Sequence, residues 1–170
     1  MSYIWNIVGN NMEAIVAVCA LLLTIYQFIS SHKHNKLSVT PYIANYSETT
    51  ENDNNAVFSF EVANNGIGPA KIKTWEVCLN KENIEKSKFS SLENYVNYVL
   101  AGRKSSVSFG HLQKGHLMSI GEVKNVLKVT ADINNKKEFI EIKEELNKLG
   151  LIVKYQSIYG DEYTLDTHNS

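Results

Sequence analysis

Arginine is nearly missing from this chain. Of 17 basic residues, Arg103 alone is an arginine, and the rest are lysines. Flat, two-pronged recognition of phosphates and bases relies on the guanidinium fork, so its scarcity argues against a nucleic-acid groove. A formal net charge of −1 also excludes the long-range positive field that draws a polyanion. Nucleic acid is not an expected partner. Cysteine is scarce too: Cys19 and Cys78 are the two present. If the stretch holding Cys19 spans a membrane, they cannot pair within the chain, and a cytoplasmic domain needs no disulfide. Also lacking are a Gly-x-Ser-x-Gly elbow, a Cys/His nucleophile signature and a Walker loop. The sequence therefore predicts a protein that is not an enzyme, with no cofactor.

Charge is wholly absent from residues 14–29, AIVAVCALLLTIYQFI, where Thr24, Tyr26 and Gln27 are the polar side chains. A spanning helix needs roughly 17–25 mostly apolar residues. The run is short for that, with Glu13 at the interface and further apolar surface upstream at Tyr3, Ile4, Trp5, Ile7 and Val8. Ala14, Val18, Leu22, Ile25 and Ile29 are the expected lipid-facing residues. Tyr3, Trp5 and Tyr26 are rings suited to headgroup depth. The competing reading is the core helix of a soluble protein, but such a helix is seldom apolar around its whole circumference. No Lys or Arg precedes the run, and Ile29-Ser30-Ser31 is a poor small-x-small site, so an uncleaved anchor is expected. The collar that follows carries Lys33 and Lys36, which by the positive-inside rule puts the remaining chain in the cytoplasm. The expected division is an anchor over 1–30, a basic collar over 31–36, a soluble domain over 37–166 and a frayed tail over 167–170.

The domain reads as β-rich. Residues 37–46 alternate in part, and Pro41, lacking a backbone donor, makes this an edge or bulged strand. Residues 56–63 alternate cleanly, with Phe58, Phe60 and Val62 on one face. The segment Asn64-Asn65-Gly66-Ile67-Gly68-Pro69-Ala70 is a structural turn, since Asn and Gly tolerate positive φ and Pro ends a ladder. It leads into a β segment, not a helix, and so is not a phosphate loop. The alternation of residues 71–79 changes partway, which predicts a bulge. Residues 80–89 read as a loop. Ser90 and Glu93 form an expected capping box for a helix with Leu92, Tyr95, Val96, Val99 and Leu100 inward and Gly102 closing it. Strands are expected from Val107 and over 126–130. A second helix is capped by Asn134 or Asn135 and runs to Leu149, with Gly150 as its C′ residue. Gly160-Asp161 turns a final hairpin over 151–166. The fold class is mainly β: an N-terminal transmembrane helix, then an antiparallel β-sandwich of about seven strands with two inserted helices.

The histidines offer little chemistry. His32 and His34 belong to a solvated collar. His111 and His116 bracket a turn at Lys114-Gly115, without Cys or acidic neighbours at ligand spacing. No metal site is expected.

Val62-Ala63-Asn64-Asn65-Gly66-Ile67-Gly68-Pro69-Ala70 resembles the V-x-N-x-G-x-x-x-A corner of bacterial immunoglobulin-like and fibronectin-III-like modules, and Ser119-Ile120-Gly121-Glu122 resembles their x-P-G-E turn with Ile for Pro. With the apolar leader, the collar and Tyr155-Gln156-Ser157-Ile158-Tyr159-Gly160-Asp161, the layout resembles small bacterial single-pass membrane proteins. The resemblance implies an inner-membrane anchor and a sandwich fold, and carries over no catalytic residue. Two functions are then expected. One is a tethered adaptor that presents a cytoplasmic β-sandwich to a protein partner. The alternative is a membrane-acting effector, of toxin or phage-defence type, whose anchors form a homo-oligomer in membrane lipid through the small residues Ala17, Cys19 and Ala20.

Overall fold

The computed structural model describes residues 12–52 and 54–168. Two units compose the chain, Met1–Ser38 and Val39–Ser170.

In the first unit, helix α1 covers Met12–Leu37. No Gly or Pro interrupts it. Glu13 in its first turn and His34 and Lys36 in its last complement the helix dipole. The helix is therefore longer than the apolar run. It takes in the collar with Lys33 and Lys36, and also Leu37, which the alternation assigns to a strand. Ser38 closes it, its N–H donating to the His34 carbonyl (3.0 Å) and its hydroxyl to that of Asn35 (2.9 Å). At 1.5 Å per residue, 26 residues reach about 39 Å. The mean hydropathy of its most apolar stretch is 2.0, so α1 is long and apolar enough to cross a membrane. Ala14, Val18, Leu22, Ile25 and Ile29 are all exposed, and no residue of α1 is buried. The Thr24 hydroxyl donates to the Ala20 carbonyl at 2.8 Å, so it brings no unpaired donor to an apolar surface. Tyr3 and Trp5 lie outside the described residues.

The second unit holds two antiparallel sheets. One has β1 (Ile43–Asn52), β2 (Asn55–Asn64), β7 (Val123–Asp132) and β5 (Ser105–Phe109), in the order β1-β2-β7-β5. The other has β4 (Glu82–Asn83), β3 (Ala70–Leu79), β8 (Leu149–Gln156) and β9 (Glu162–Asp166), in the order β4-β3-β8-β9; β6 (Leu117–Met118) pairs with the start of β3. Seven strands are thus of ordinary length, and β4 and β6 are two-residue additions. Helix α2 (Leu92–Val99) precedes β5, and α3 (Lys136–Leu146) joins β7 to β8.

The core has two clusters. In one, Ile43, Val62 and Val126 from the first sheet meet Ile72, Leu151, Val153 and Tyr155 from the second. In the other, Phe58, Leu127 and Val129 of the first sheet pack with Tyr95 and Val96 of α2 and Ile142 and Leu146 of α3. The helices thus fill a wedge that the sheets leave open, and Phe60 and Val77 touch both clusters. A bulge in β7, where Phe60 pairs with Leu127 and Glu61 with Asn125, lets the consecutive Val126 and Leu127 both be buried, one in each cluster. The bulge expected in β3 lies between Ile72 and Thr74.

Four expectations are corrected. Residues 80–89 are not a loop throughout: Asn80 and Lys81, with φ of 51° and 72°, make a tight turn into β4, and a 3₁₀ turn over Ile84–Lys86 buries Ile84. The cap of α2 is Ser91, which accepts from the Asn94 N–H; Ser90 sits at φ 60°. Gly150 lies within β8 opposite Cys78, because α3 already ends at Leu146. Its missing side chain leaves room for the His168 ring, which a Cβ would approach to 2.1 Å. The tail is not frayed at its start, since Thr167 and Leu151 exchange hydrogen bonds: the Thr167 N–H donates to the Leu151 carbonyl (3.1 Å), and the Leu151 N–H to the Thr167 hydroxyl (2.8 Å).

Candidate functional site

Among the described residues, one concavity is a cleft of about 570 Å³. Its wall is the middle of β3, which contributes Trp75 and Glu76. The 3₁₀ turn adds Glu85, the first turn of α2 adds Glu93, the end of β5 adds Phe109, and the chain just past it adds His111. Each is set by local chemistry. Asn83 accepts from the Glu85 N–H through Oδ1 (2.8 Å) and donates through Nδ2 to Glu76 Oε2 (2.9 Å), fixing the Glu85 backbone and the Glu76 carboxylate from one amide. Ser91 starts α2, so Glu93 falls in the turn that rims the cleft. His111 packs edge-on to Trp75 with ring centres 5.1 Å apart and planes at 85°.

No lysine or arginine lines this cleft. An indole ring in a lining that also holds acidic residues suits a cationic side chain, through ring and charge together. The Ser91 hydroxyl is occupied as a helix cap. Among the described residues no three His, Cys, Asp or Glu side chains gather as metal ligands.

The residues singled out as a structural turn form a densely hydrogen-bonded polar cluster. Asn64 is fully buried. Its Oδ1 accepts from the N–H groups of Tyr42 (3.2 Å) and Gly66 (3.1 Å). Its Nδ2 donates to the carbonyls of Gly68 (2.9 Å) and Met118 (3.1 Å). Its backbone joins Gly121 and Glu122, accepting at 2.8 Å and donating at 3.1 Å. One side chain thus ties its own corner, at Gly66 and Gly68, to Tyr42 and Met118 with every hydrogen-bonding position used. Gly66 and Gly68 serve here through closeness, not through positive φ. A Cβ on Gly66 would lie 2.2 Å from the Tyr42 nitrogen, and one on Gly68 1.8 Å from the Val39 carbonyl oxygen. The expected strand over 37–46 begins only at Ile43, and the irregular segment 39–42 crosses these glycines, with the Ile67 N–H donating to the Thr40 carbonyl at 3.0 Å. Pro69 then leads into β3 at Ala70.

Gly160 has φ 84° and closes the β8–β9 turn, where the Ser157 hydroxyl accepts from the N–H groups of Tyr159 and Asp161, both at 3.2 Å. His111 and His116 are not a pair: His111 serves the cleft, and His116 Nε2 meets Glu122 Oε1 at 3.0 Å. Glu122 also holds Lys124 at 3.0 Å and accepts from the Ser119 N–H at 2.8 Å. That N–H, with Lys124 and His116 behind it, brings the Glu122 carboxyl down to about 2.

The cleft was not visible in the sequence, because its members come from four separated segments. The one usable signal was an indole, Trp75, next to Glu76 on a strand whose alternation breaks. A family model described as a domain of unknown function (DUF8453) matches residues 5–169. No curated protein matches the chain.

Proposed function

Since the chain belongs to the DUF8453 family of domains, and that description leaves its activity open, we propose that it is a membrane-tethered, non-enzymatic adaptor. In this reading α1 spans a bacterial inner membrane, and the β unit stands in the cytoplasm to receive a protein partner. The observation that carries the reading is the contrast between the two units. Over residues 14–29 helix α1 is apolar all round, and none of its residues is buried, whereas the β unit closes its own two cores. An apolar helix without protein cover finds its solvent in lipid. The strand orders support an immunoglobulin-like module: A-B-E-D facing C-F-G is the constant-type arrangement, and β1-β2-β7-β5 facing β3-β8-β9 follows it, with β4 added beside β3. The Trp75 cleft is the place for a partner's basic segment. Tethering raises the local concentration of such a partner without improving a contact.

The test uses the full chain expressed in a bacterium. The protein should resist carbonate extraction from membranes, and its β unit should survive protease added outside spheroplasts. A photoreactive residue at Leu92, on the cleft rim, should crosslink a defined partner, and Trp75→Ala should abolish that product; a probe at Thr50 should give none. Recovery in the aqueous fraction, or loss of membrane potential on expression, overturns the reading; the latter outcome would favour a membrane-acting effector.

A further inference from the structure

Three turns of the β unit carry an isoleucine at the tip: Gly66-Ile67-Gly68, Ser119-Ile120-Gly121 and Ser157-Ile158-Tyr159-Gly160. Turns are ordinarily made of Gly, Pro, Asn, Asp and Ser. Here the isoleucines contribute little to the fold, being 60%, 61% and 55% exposed. The strand registers collect all three at one pole. Asn64 bonds to Met118, Gly121 and Glu122, which places the Ile120 turn against the Ile67 corner. Lys71 pairs with both Leu117 and Gln156, which places the Ile158 turn beside them. Tyr42 and Tyr159 are exposed at the same pole. The opposite pole differs in kind. It carries the β1–β2 turn, where Asn52 pairs with Asn55, and the turn through Asn80 and Lys81.

We propose that the Ile67–Ile120–Ile158 pole is a lipid-contacting face, its isoleucines entering the interfacial layer of a bilayer with the rings of Tyr42 and Tyr159 at headgroup depth. The inference rests on the reading of α1 as a spanning anchor. Lipid is chosen over protein because the chain joins the β unit at this pole. Residues 39–42 lie across Gly66 and Gly68, and α1 ends at Leu37. Five residues of extended chain span at most about 18 Å. The eight residues of α1 beyond Ile29 add about 12 Å to that reach, so connectivity makes this the pole tethered nearer to any bilayer that α1 spans. Ten-residue strands put the other pole roughly 30 Å farther along the sheet. The apolar groups are separate tips, suited to a yielding surface. Charge at the pole is balanced, with Lys71, Lys114 and Lys124 against Glu122, Asp161 and Glu162. Contact should therefore not require anionic lipid.

The test uses the full chain with Cys19→Ser, one copy per phosphatidylcholine nanodisc; Cys78 is buried and escapes labelling. An environment-sensitive fluorophore is placed by Ile120→Cys, Ile158→Cys, Thr50→Cys or Leu22→Cys. Quenching by headgroup-level nitroxide lipid should be at least threefold stronger at 120 and 158 than at 50, with label 22 quenched by a deep nitroxide. Labels 120 and 158 as water-like as label 50, with 22 deep in lipid, overturn this proposal and leave the anchor standing. A water-like label 22 removes the anchor reading and this one with it. Shielding at 120 that occurs only in nanodiscs holding two copies assigns the face to a second copy, which also overturns it.

Discussion

Removing the Asn64 side chain should come close to unfolding the β unit. Asn64→Ala strips partners from four backbone groups at once: the N–H groups of Tyr42 and Gly66 and the carbonyls of Gly68 and Met118. The two carbonyl bonds are buried, and a buried group left unpaired costs about 1–3 kcal/mol. The two N–H groups are part-buried and regain water, at about 0.5–1 kcal/mol each. The total is about 3–8 kcal/mol, against a whole-domain stability of about 5–15 kcal/mol. Asn64→Asp separates this account from simple loss of volume. Its oxygens still accept from Tyr42 and Gly66, but one of them now faces the Gly68 and Met118 carbonyls. The ionised form is disfavoured in the fold, so the folded-state pKa rises above the ordinary value of about 3.9. Native protein then holds the proton more tightly than unfolded protein, and stability is regained as pH falls. The assay is urea unfolding of the full chain in mild detergent, read by Trp75 fluorescence with Trp5→Phe. Asn64→Asp should be about as damaged as Asn64→Ala at pH 7 and clearly less so at pH 4. A cost below about 1 kcal/mol for Asn64→Ala, or no pH dependence in the difference between the two variants, refutes the reasoning.

Gly68→Ala should cost several times as much as Gly115→Ala, measured the same way. The first drives a Cβ to 1.8 Å from the Val39 carbonyl oxygen, whereas the second, at φ 86° in open space, costs about 1 kcal/mol. Lys81→Gly should stabilise by about 1 kcal/mol, because Lys81 sits at φ 72°. Thermal melting would show it, and a lowered midpoint would count against the turn assignment. Glu122→Gln should lower stability by about 1–2 kcal/mol at pH 7. Because the folded carboxyl is held down to about 2, its contribution is present above the ordinary range near 4.5 and fades as pH falls through 2. Unfolding curves of the two proteins should therefore converge near pH 2, and a constant gap would refute the assignment.

The parts of this fold legible in the sequence are those fixed by local chemistry. The charge-free run gives α1, the Asn135 cap gives α3, and Gly160 gives the last hairpin. The Asn64–Pro69 corner was legible as a turn but not for the right reason. Its glycines answer to residues 39–42, more than twenty positions away, and nothing near them in the sequence announces that crossing. Residues 80–89 misled because their polarity hides Ile84, which the second core needs. Gly150 misled because it follows a helix by four residues and looks like a stop signal, while its real neighbour is His168. The cleft required β3, β5 and α2 to be brought together, which tertiary pairing alone decides. The isoleucine tips stood in the sequence all along, as apolar residues set among turn formers.

The crossing of residues 39–42 over Gly66 and Gly68 also bears on mechanical load. Any tension drawn along the polypeptide from α1 into the β unit reaches Val39 and Thr40 before any sheet strand. There it is met by the Ile67–Thr40 and Asn65–Tyr42 backbone bonds, with the Asn64 amide just behind them. The attachment is a stitched seam, and the force needed to rip it is set at the corner, leaving strand β1 as the second thing to yield.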